Sequence, residues 1–229
     1  MAVRRLRRYY FLNACYAERH HLHVRALICM CSAALLTAEV SRLTPEDARL
    51  FDAAKQRYYE AVDGARDALN VSRDALQNLH SKSPADSLVL AYLGSTRLLE
   101  AARALAPWRK GKLAKEGLRM LDEAVQESPE NLEIRFLRGI STSHLPALFK
   151  RGGQSSEDFA WLSKRVSSAV ASGRLDARLG AASLYHHGIA LEKSDNIDGA
   201  REAWREAVRL GPGTRAGTDA RKKLADRSE

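Results

Sequence analysis

Along most of the chain, apolar residues recur at steps of three and four positions, the pattern of helices that bury one face. The first run begins at residues 44–47, where a hydroxyl side chain, a proline and two acids suit a helix start. Its spacing continues through Leu69, and a second run covers residues 71–80. Further helices are predicted over residues 86–104, 112–127, 131–144, 155–172, 175–193, 197–210 and 215–226. No alternating apolar run predicts a strand, so the expected fold class is all-α.

The helices predicted over residues 175–193 and 197–210 carry a spaced set of small and large residues. Gly188 is followed after 12 positions by Ala200, after 16 by Trp204, after 19 by Ala207 and after 24 by Pro212. The small residues let two antiparallel helices approach closely, and the tryptophan fills the space between them. The proline ends the second helix, because the residue before a proline is disfavoured in the α region.

The same spacing recurs upstream in residues 112–129, whose second-helix series is Gly117, Leu121, Ala124 and Pro129. Gly94 stands where Gly188 stands in the first pair, but it precedes its partner by 23 positions instead of 12. The difference between these spacings, 23 and 12, predicts an insertion of 11 residues. We expect this insertion, which includes residues 107–111, to lengthen the hairpin.

Two further matches are degenerate. Gly139 takes the place of Gly188 in the predicted helix 131–144, but the following helix, 155–172, lacks the small–large–small–proline order. Near the start of the chain, Ser72, Leu76 and Pro84 form a weak echo of a second helix.

This spacing resembles the tetratricopeptide repeat (TPR), a helix–turn–helix unit of about 34 residues. The resemblance covers residues 44–229 and implies a TPR-like helical domain of bacterial type, with antiparallel helix hairpins stacked as a short α-solenoid. It also implies a non-catalytic scaffold or adaptor that needs no cofactor and binds a protein or peptide on its concave face. The groove residues carried over from the resemblance are Arg135, Arg138, Tyr185, His186 and Glu192. The basic last helix would be the polar cap of the stack.

The candidate residues also have plainer interpretations. Arg135 and Arg138 lie one turn apart, so they form either an ion-paired face or a clamp for a carboxylate of a bound peptide. His186 and His187 are adjacent, so they point about 100° apart on a helix and cannot hold one metal ion together. Packing is therefore favoured for His187, while His186 points elsewhere, into the groove. Trp108, in a basic stretch, is expected to anchor the inserted loop, with an anion site as the alternative.

Other functions remain as alternatives. The chain could be a structural subunit of a bacterial envelope or transport complex, and a small-ligand binder or an enzyme is less favoured. The sequence shows no glycine-rich phosphate loop, no Cys/His metal spacing and no nucleophile elbow. These absences argue against an enzyme, although catalytic groups need not be close together in sequence.

Charge narrows the choice of partner. The net charge is +9, but residues 1–38 carry six arginines and one acid, which leaves only +4 for the rest of the chain. A nucleic-acid-binding protein usually concentrates positive charge on a folded face. We therefore do not expect nucleic acid as a partner.

The N-terminus suggests export. Residues 1–25 form a basic extension, and residues 26–38 are an uncharged apolar run. A membrane-spanning helix needs about 20 residues, so this shorter run fits a signal-peptide core better. We expect a periplasmic or secreted protein, with a cytoplasmic one as the alternative, and a membrane contact only if this segment stays uncleaved. Val24 is a candidate start codon, a hypothesis that native peptides from residues 1–23 would exclude.

Cysteine contributes nothing to the fold prediction. The three cysteines, Cys15, Cys29 and Cys31, all precede the predicted helical domain. A disulfide framework therefore cannot staple that domain.

Overall fold

A computed structural model describes residues 43–146 and 149–226 of the chain. Both N-terminal segments predicted above lie outside the described residues. The described part forms ten α-helices and contains no strand, which confirms the all-α class. The helices are α1 (Pro45–Val62), α2 (Arg66–Lys82), α3 (Ser87–Arg103), α4 (Pro107–Glu127), α5 (Leu132–Ser143), α6 (Gly152–Ser163), α7 (Val166–Ala171), α8 (Ala177–Lys193), α9 (Ile197–Leu210) and α10 (Arg215–Ala225).

The helices pack as consecutive hairpins, α1 with α2, α3 with α4, α5 with α6, and α8 with α9. Each hairpin rests on the next, because α2 contacts α3, α4 contacts α5, and α6 contacts α8. The last helix, α10, covers the exposed side of α8 and α9. The predicted stack of helix hairpins is thereby confirmed.

Small residues occupy the crossing of the two helices in the hairpins with the clearest sequence spacing. At the crossing of α3 and α4, a Cβ on Gly94 would lie 2.9 Å from the carbonyl oxygen of Gly117. A Cβ on Gly117 would lie 2.6 Å from the carbonyl oxygen of Gly94. In the hairpin of α8 and α9, a Cβ on Gly188 would collide with the indole of Trp204. Glycine is therefore required at these positions by close approach of the helices.

The two degenerate hairpins have the same crossing with serine as the small residue. Ser72 in α2 donates a hydrogen bond from its hydroxyl to the carbonyl oxygen of Ala54 in α1, at 3.0 Å. Ser155 in α6 does the same to Gly139 in α5, at 2.9 Å. Both serines are buried, so the bond across the crossing satisfies a hydroxyl that water cannot reach.

Large residues follow each small residue at a fixed distance. The side chain four positions after the crossing is at most 1% exposed in all four hairpins, and these residues are Leu76, Leu121, Phe159 and Trp204. The side chain seven positions after it is fully buried, at Leu79, Ala124, Leu162 and Ala207. The four hairpins therefore share one packing register, although only two show it clearly in sequence.

Several predicted helix boundaries were wrong. The first helix does not continue to Leu69 but ends at Val62, before Gly64, whose φ of +112° suits glycine. The helix predicted over residues 155–172 is two helices, α6 and α7, which are separated at Lys164 and Arg165. No glycine or proline marks this second break. It lets Val166 and Ala169 bury their side chains in the C-terminal core.

The inserted residues lengthen the helices of the second hairpin and leave its loop unchanged. Helix α3 continues nine residues past Gly94, whereas α8 continues five past Gly188. Helix α4 starts ten residues before Gly117, whereas α9 starts three before Ala200. The connection is three residues long in both hairpins, 104–106 and 194–196. The prediction that residues 107–111 belong to a loop was wrong, because α4 begins at Pro107.

Replacing Gly117 by Ala tests the helix crossing. The new Cβ would press on the backbone of α3, so we expect a loss of about 1–3 kcal/mol in the free energy of unfolding, despite the better helix propensity of alanine. Gly111→Ala in the same helix is the matched control, because nothing lies within 4 Å of a Cβ there. It should gain up to about 1 kcal/mol. Urea unfolding followed by far-UV circular dichroism measures both changes, and a stabilised Gly117→Ala variant would contradict the close crossing.

Candidate functional site on the inner face of the stack

The first helices of the hairpins form one face of the stack, which we call the inner face; it is built from α1, α3, α5 and α8. Helix α1 contacts α3, α3 contacts α5, and α5 contacts α8. Parallel neighbours in such a row lie about 8–10 Å apart, so a flat row would place α10 about 40 Å from α1. Instead, Arg215 at the start of α10 approaches Asp63 just after α1, with 3.8 Å between guanidinium and carboxylate. The row is therefore curved, with the first helices on the inside.

Three residues at intervals of four positions, two in α1 and one just after it, lie close to the N-terminal ends of three later helices. Lys55 forms a 2.7 Å salt bridge with Glu133 of α5. Tyr59 lies near Arg178 and Asp176 at the start of α8, whose charges act on the pKa of its phenol. The third residue is Asp63, which approaches α10 as described above. Residues four apart share one helix face. Helix α1 therefore lies across the starts of the later first helices and covers part of the inner face that they form.

Beneath α1, a chain of polar contacts links the first three hairpins. The hydroxyls of Tyr59 and Tyr92 lie 2.9 Å apart, and Tyr92 donates a hydrogen bond to the carboxylate of Glu133. The ammonium of Lys55 sits over the ring of Tyr92, 5.3 Å from its centre. Burial raises the pKa of Tyr59 to about 12, and burial together with the Glu133 carboxylate raises that of Tyr92 further. Both phenols therefore stay neutral, and the cluster joins the helices as a structural contact.

The predicted arginine clamp exists, but the carboxylate that it holds belongs to this chain. Arg138 binds both carboxylate oxygens of Asp158 in α6, each at 2.7 Å, and Arg135 binds the same group at 3.2 Å. Asp158 is fully buried. Arg135 also stacks on Trp161, with 4.5 Å from its guanidinium carbon to the ring centre. The two arginines thus fasten α5 to α6, and their binding of a partner stays a prediction.

The other three predicted residues lie on α8, where Tyr185 and Glu192 are on the inner face. Glu192 forms a 2.9 Å salt bridge with Lys223 of α10. These two residues belong to a set that recurs at steps of four and three positions and so forms a single stripe, which we call the α8 stripe. Its members are Arg178, Ala182, Tyr185, Ile189 and Glu192, of which the first is exposed and the other four are half-buried.

His186 lies beside the α8 stripe and packs against aromatic rings. Its ring stacks on Phe159, with centres 5.3 Å apart, and meets His144 and Tyr185 edge-on. Burial, with smaller contributions from the nearby His144 and Lys193, lowers the pKa of His186 to about 4. His186 is therefore a neutral packing residue near pH 7.

His187 is half-buried, and its Nδ1 atom has no hydrogen-bond partner among the described residues. Burial, with Lys164 nearby, lowers its pKa. Within residues 43–146 and 149–226, no three His, Cys, Asp or Glu side chains come together as metal ligands. None of the helices described there is long and apolar enough to cross a bilayer.

The comparison with known structures agrees with this architecture. The crystal structure of TTC0263, a thermophilic TPR protein in Thermus thermophilus, aligns with 79% of this chain and 80% of its own, with a TM-score of 0.54 and 14% sequence identity. The chain has a TPR-like fold. No protein-family profile matches the sequence, and no curated protein matches it. At this low identity the likeness concerns the fold alone.

A cleft also opens on the side of the TPR-like stack away from the inner face. It measures about 550 Å³, lies between α4 and the start of α6, and is lined by Lys115, Leu118, Arg119, Asp122, Glu123, Gln126 and Arg151. Asp122 accepts hydrogen bonds from Arg151 and Gln154. The lining is mostly charged and of mixed sign, whereas small-molecule sites are mostly apolar. The cleft therefore gives the small-ligand alternative little support.

Sequence reasoning missed the contacts of α1 with the inner face. Lys55, Tyr59 and Glu133 are separated by up to 78 positions, and no local pattern joins them. The four-residue steps of Lys55, Tyr59 and Asp63 were the available signal, but they do not indicate which helices this face meets.

Removing the Asp158 carboxylate tests the structural role of the arginine clamp. Asp158→Ala leaves two largely buried guanidinium groups without their acceptor, so we expect a loss of about 3–5 kcal/mol in the free energy of unfolding. Glu123→Ala, which breaks an exposed pair with Arg119 in α4, should lose less than about 1 kcal/mol. Urea unfolding measures both variants. A loss as small as that of the control would show that the arginines are not arranged for Asp158.

The depressed pKa of His186 predicts a pH dependence of stability. Between about pH 6.5 and pH 4 the unfolded chain takes up a proton that the folded chain does not, so stability falls as the pH falls. The loss between pH 7.5 and pH 5 from this group should be about 2 kcal/mol. His186→Phe removes the group, so its stability should fall less over the same interval. Equal falls in both proteins, measured by urea unfolding at the two pH values, would contradict the buried neutral imidazole.

Proposed function

We propose that this protein is a non-catalytic scaffold that binds an extended segment of a partner protein on its inner face. Curved stacks of helix hairpins characteristically present such a surface, and the TPR-like fold supports a protein-interaction role. The partner lies on the part of the row of first helices that α1 leaves uncovered, at α5 and α8.

The partly exposed α8 stripe is the observation that carries this proposal. On α3, the inner residue Tyr92 is fully buried beneath α1. On α8, Tyr185 and Ile189 pack on the C-terminal core but remain partly exposed, and the charged Arg178 and Glu192 flank them at the two ends of the stripe. Aromatic and aliphatic side chains at a partly exposed centre, with charges at the rim, are the usual composition of a protein-binding surface. The binding region is therefore the half of the inner face formed by α5 and α8.

The proposal keeps Tyr185, His186 and Glu192 at or beside the contact and gives the arginines a supporting role. Arg135 and Arg138 hold α6 in place, and α6 carries Phe159, on which His186 stacks. The arginines would thus position the surface without touching the partner.

A location outside the cytoplasm belongs to this proposal. Its support is the apolar run of residues 26–38, read as a signal-peptide core. Fractionation of native cells places the protein directly, and its recovery with cytoplasmic markers would contradict export.

A photo-crosslinking amino acid at two positions tests the inner face. Benzoylphenylalanine replaces Tyr185 in the α8 stripe, and the matched control places it at the exposed Arg205 of α9 in the same hairpin. We expect a light-dependent adduct with a discrete protein from position 185 and none from position 205. The captured protein is then purified and titrated against the wild type, Ile189→Ser and Arg205→Ser.

The titration decides whether the captured protein is a partner. Ile189→Ser should weaken its binding at least about tenfold, since the centre of such contacts carries most of the affinity. Arg205→Ser should leave binding unchanged. Equal adducts from both positions, or equal affinities of both serine variants, would overturn the proposal.

A further inference from the structure

The lengthened hairpin of α3 and α4 extends further past its crossing than the hairpins on either side of it, slightly further than α1 and α2 and much further than α5 and α6. Its extra residues add about four residues to one helix and seven to the other, compared with α8 and α9. At a rise of about 1.5 Å per residue, the turn at residues 104–106 is carried about 6–10 Å further out. At the tip itself, Leu105 and residues 107–110 are exposed, while Arg103 just before them still reaches the end of α1.

Two large apolar side chains stand at the tip. Leu105 is 99% exposed and Trp108 is 80% exposed, which are the highest values among the large hydrophobic residues that the structure describes. The chain has three tryptophans, of which Trp204 is fully buried and Trp161 half-buried. The prediction that Trp108 anchors a loop was therefore wrong, because its indole points to solvent.

A cluster of basic side chains lies close to these two residues in sequence. Residues 101–115 contain five basic residues and no acid. Arg103 donates a hydrogen bond to the carbonyl oxygen of Ala61, and the other four are exposed, namely Arg109, Lys110, Lys112 and Lys115. No carboxylate in the described part of the chain forms a salt bridge with any of these four.

The acids that flank the tip are already engaged in the body. Glu100 pairs with Arg73 at 2.9 Å and with Arg97 at 2.8 Å, and Glu116 approaches Arg97 at 3.3 Å. These carboxylates therefore do not neutralise the cations at the tip.

We propose that this tip docks on an anionic lipid surface. Leu105 and Trp108 enter the boundary between headgroups and acyl chains, a position that the amphipathic indole favours. The four cations then lie at the level of the lipid phosphates, where each basic residue strengthens binding about fivefold. An acidic protein could pair with the cations, but it would also need a pocket to bury Leu105 and Trp108, which stand out on a convex tip. A fluid bilayer takes up such side chains without a preformed pocket, so the geometry favours lipid.

This contact is separate from the inner face and does not depend on the proposed partner. It adds a second way for the chain to reach a membrane, besides the apolar run of residues 26–38. The tip would hold the scaffold at a bilayer surface while its inner face stays open.

Binding of the full chain to vesicles tests the proposal. The probes are vesicles of phosphatidylcholine alone and of phosphatidylcholine mixed with phosphatidylglycerol, and the readouts are co-sedimentation and tryptophan emission. With the anionic vesicles we expect co-sedimentation that weakens with added salt, a blue shift of the emission, and quenching by brominated lipid. Trp108→Phe should still sediment but lose the blue shift and the quenching, because Trp161 and Trp204 do not reach the lipid.

Paired variants separate the tip from other surfaces. Leu105→Ser combined with Trp108→Ser should weaken vesicle binding at least about tenfold, while Val71→Ser, at an exposed valine of α2, should not change it. Lys112→Glu should weaken binding more than Lys222→Glu, which makes the same charge change at an exposed site of α10. All these side chains are exposed, so circular dichroism should show unchanged folding.

Three results would overturn the proposal. The first is sedimentation with no change in Trp108 emission, which would place the contact elsewhere, for example in residues 26–38. The second is equal loss in Lys112→Glu and Lys222→Glu, which would indicate unspecific charge attraction. The third is unchanged vesicle binding by the double-serine variant, which would show that the tip is not the lipid contact.

Discussion

The close approach of two helix backbones, repeated in each hairpin, is the constraint on which the rest of this structure depends. At each crossing the side chain is no larger than a serine: Ala54 and Ser72, Gly94 and Gly117, Gly139 and Ser155, Gly188 and Ala200. Because the backbones approach closely there, one large side chain four residues further on fills the wedge between the helices. The two helices of one hairpin bury only the sides that face each other. Their remaining apolar sides must therefore be buried against the next hairpin. The stack follows from the crossing, and the inner face follows from the stack.

Departures from the repeat give the molecule its particular surfaces. The third hairpin has Ser167 where the other second helices are followed by proline, and there the chain breaks earlier and adds α7. The second hairpin keeps its crossing and its three-residue turn but has longer helices, so extra length can only project outward. Helix α1 lies across the starts of the later first helices, which buries the α3 side of the inner face and leaves Tyr185 and Ile189 of the α8 stripe partly exposed. A regular stack would have offered neither a projecting tip nor an inner face open on one side.

Local spacing was sufficient to predict the hairpins, since glycine, alanine and proline at fixed intervals are visible in a single sequence. The two serine crossings were only weakly visible, because serine is acceptable at a close contact only when its hydroxyl finds a carbonyl on the other helix. The arginine pair was recognised as a carboxylate clamp, but its partner Asp158 lies 20 positions beyond Arg138 in a helix whose rotation could not be predicted. The contacts of α1 were missed for the same reason, since they depend on the curvature of the whole stack. Side-chain chemistry was thus predictable within a helix pair and not between pairs.

The curvature that places the first helices inside is the central claim, and a distance between the two ends of the stack tests it most directly. Nitroxide labels at positions 63 and 215, in a chain whose three native cysteines are replaced by serine, report this distance by double electron–electron resonance. Both side chains are exposed, and an exposed ion pair contributes little stability, so replacing this pair with labels should not disturb the fold. We expect a single narrow distribution well below about 40 Å. A distribution centred at about 40 Å or beyond, the span of five helices side by side in a flat row, would contradict the curvature.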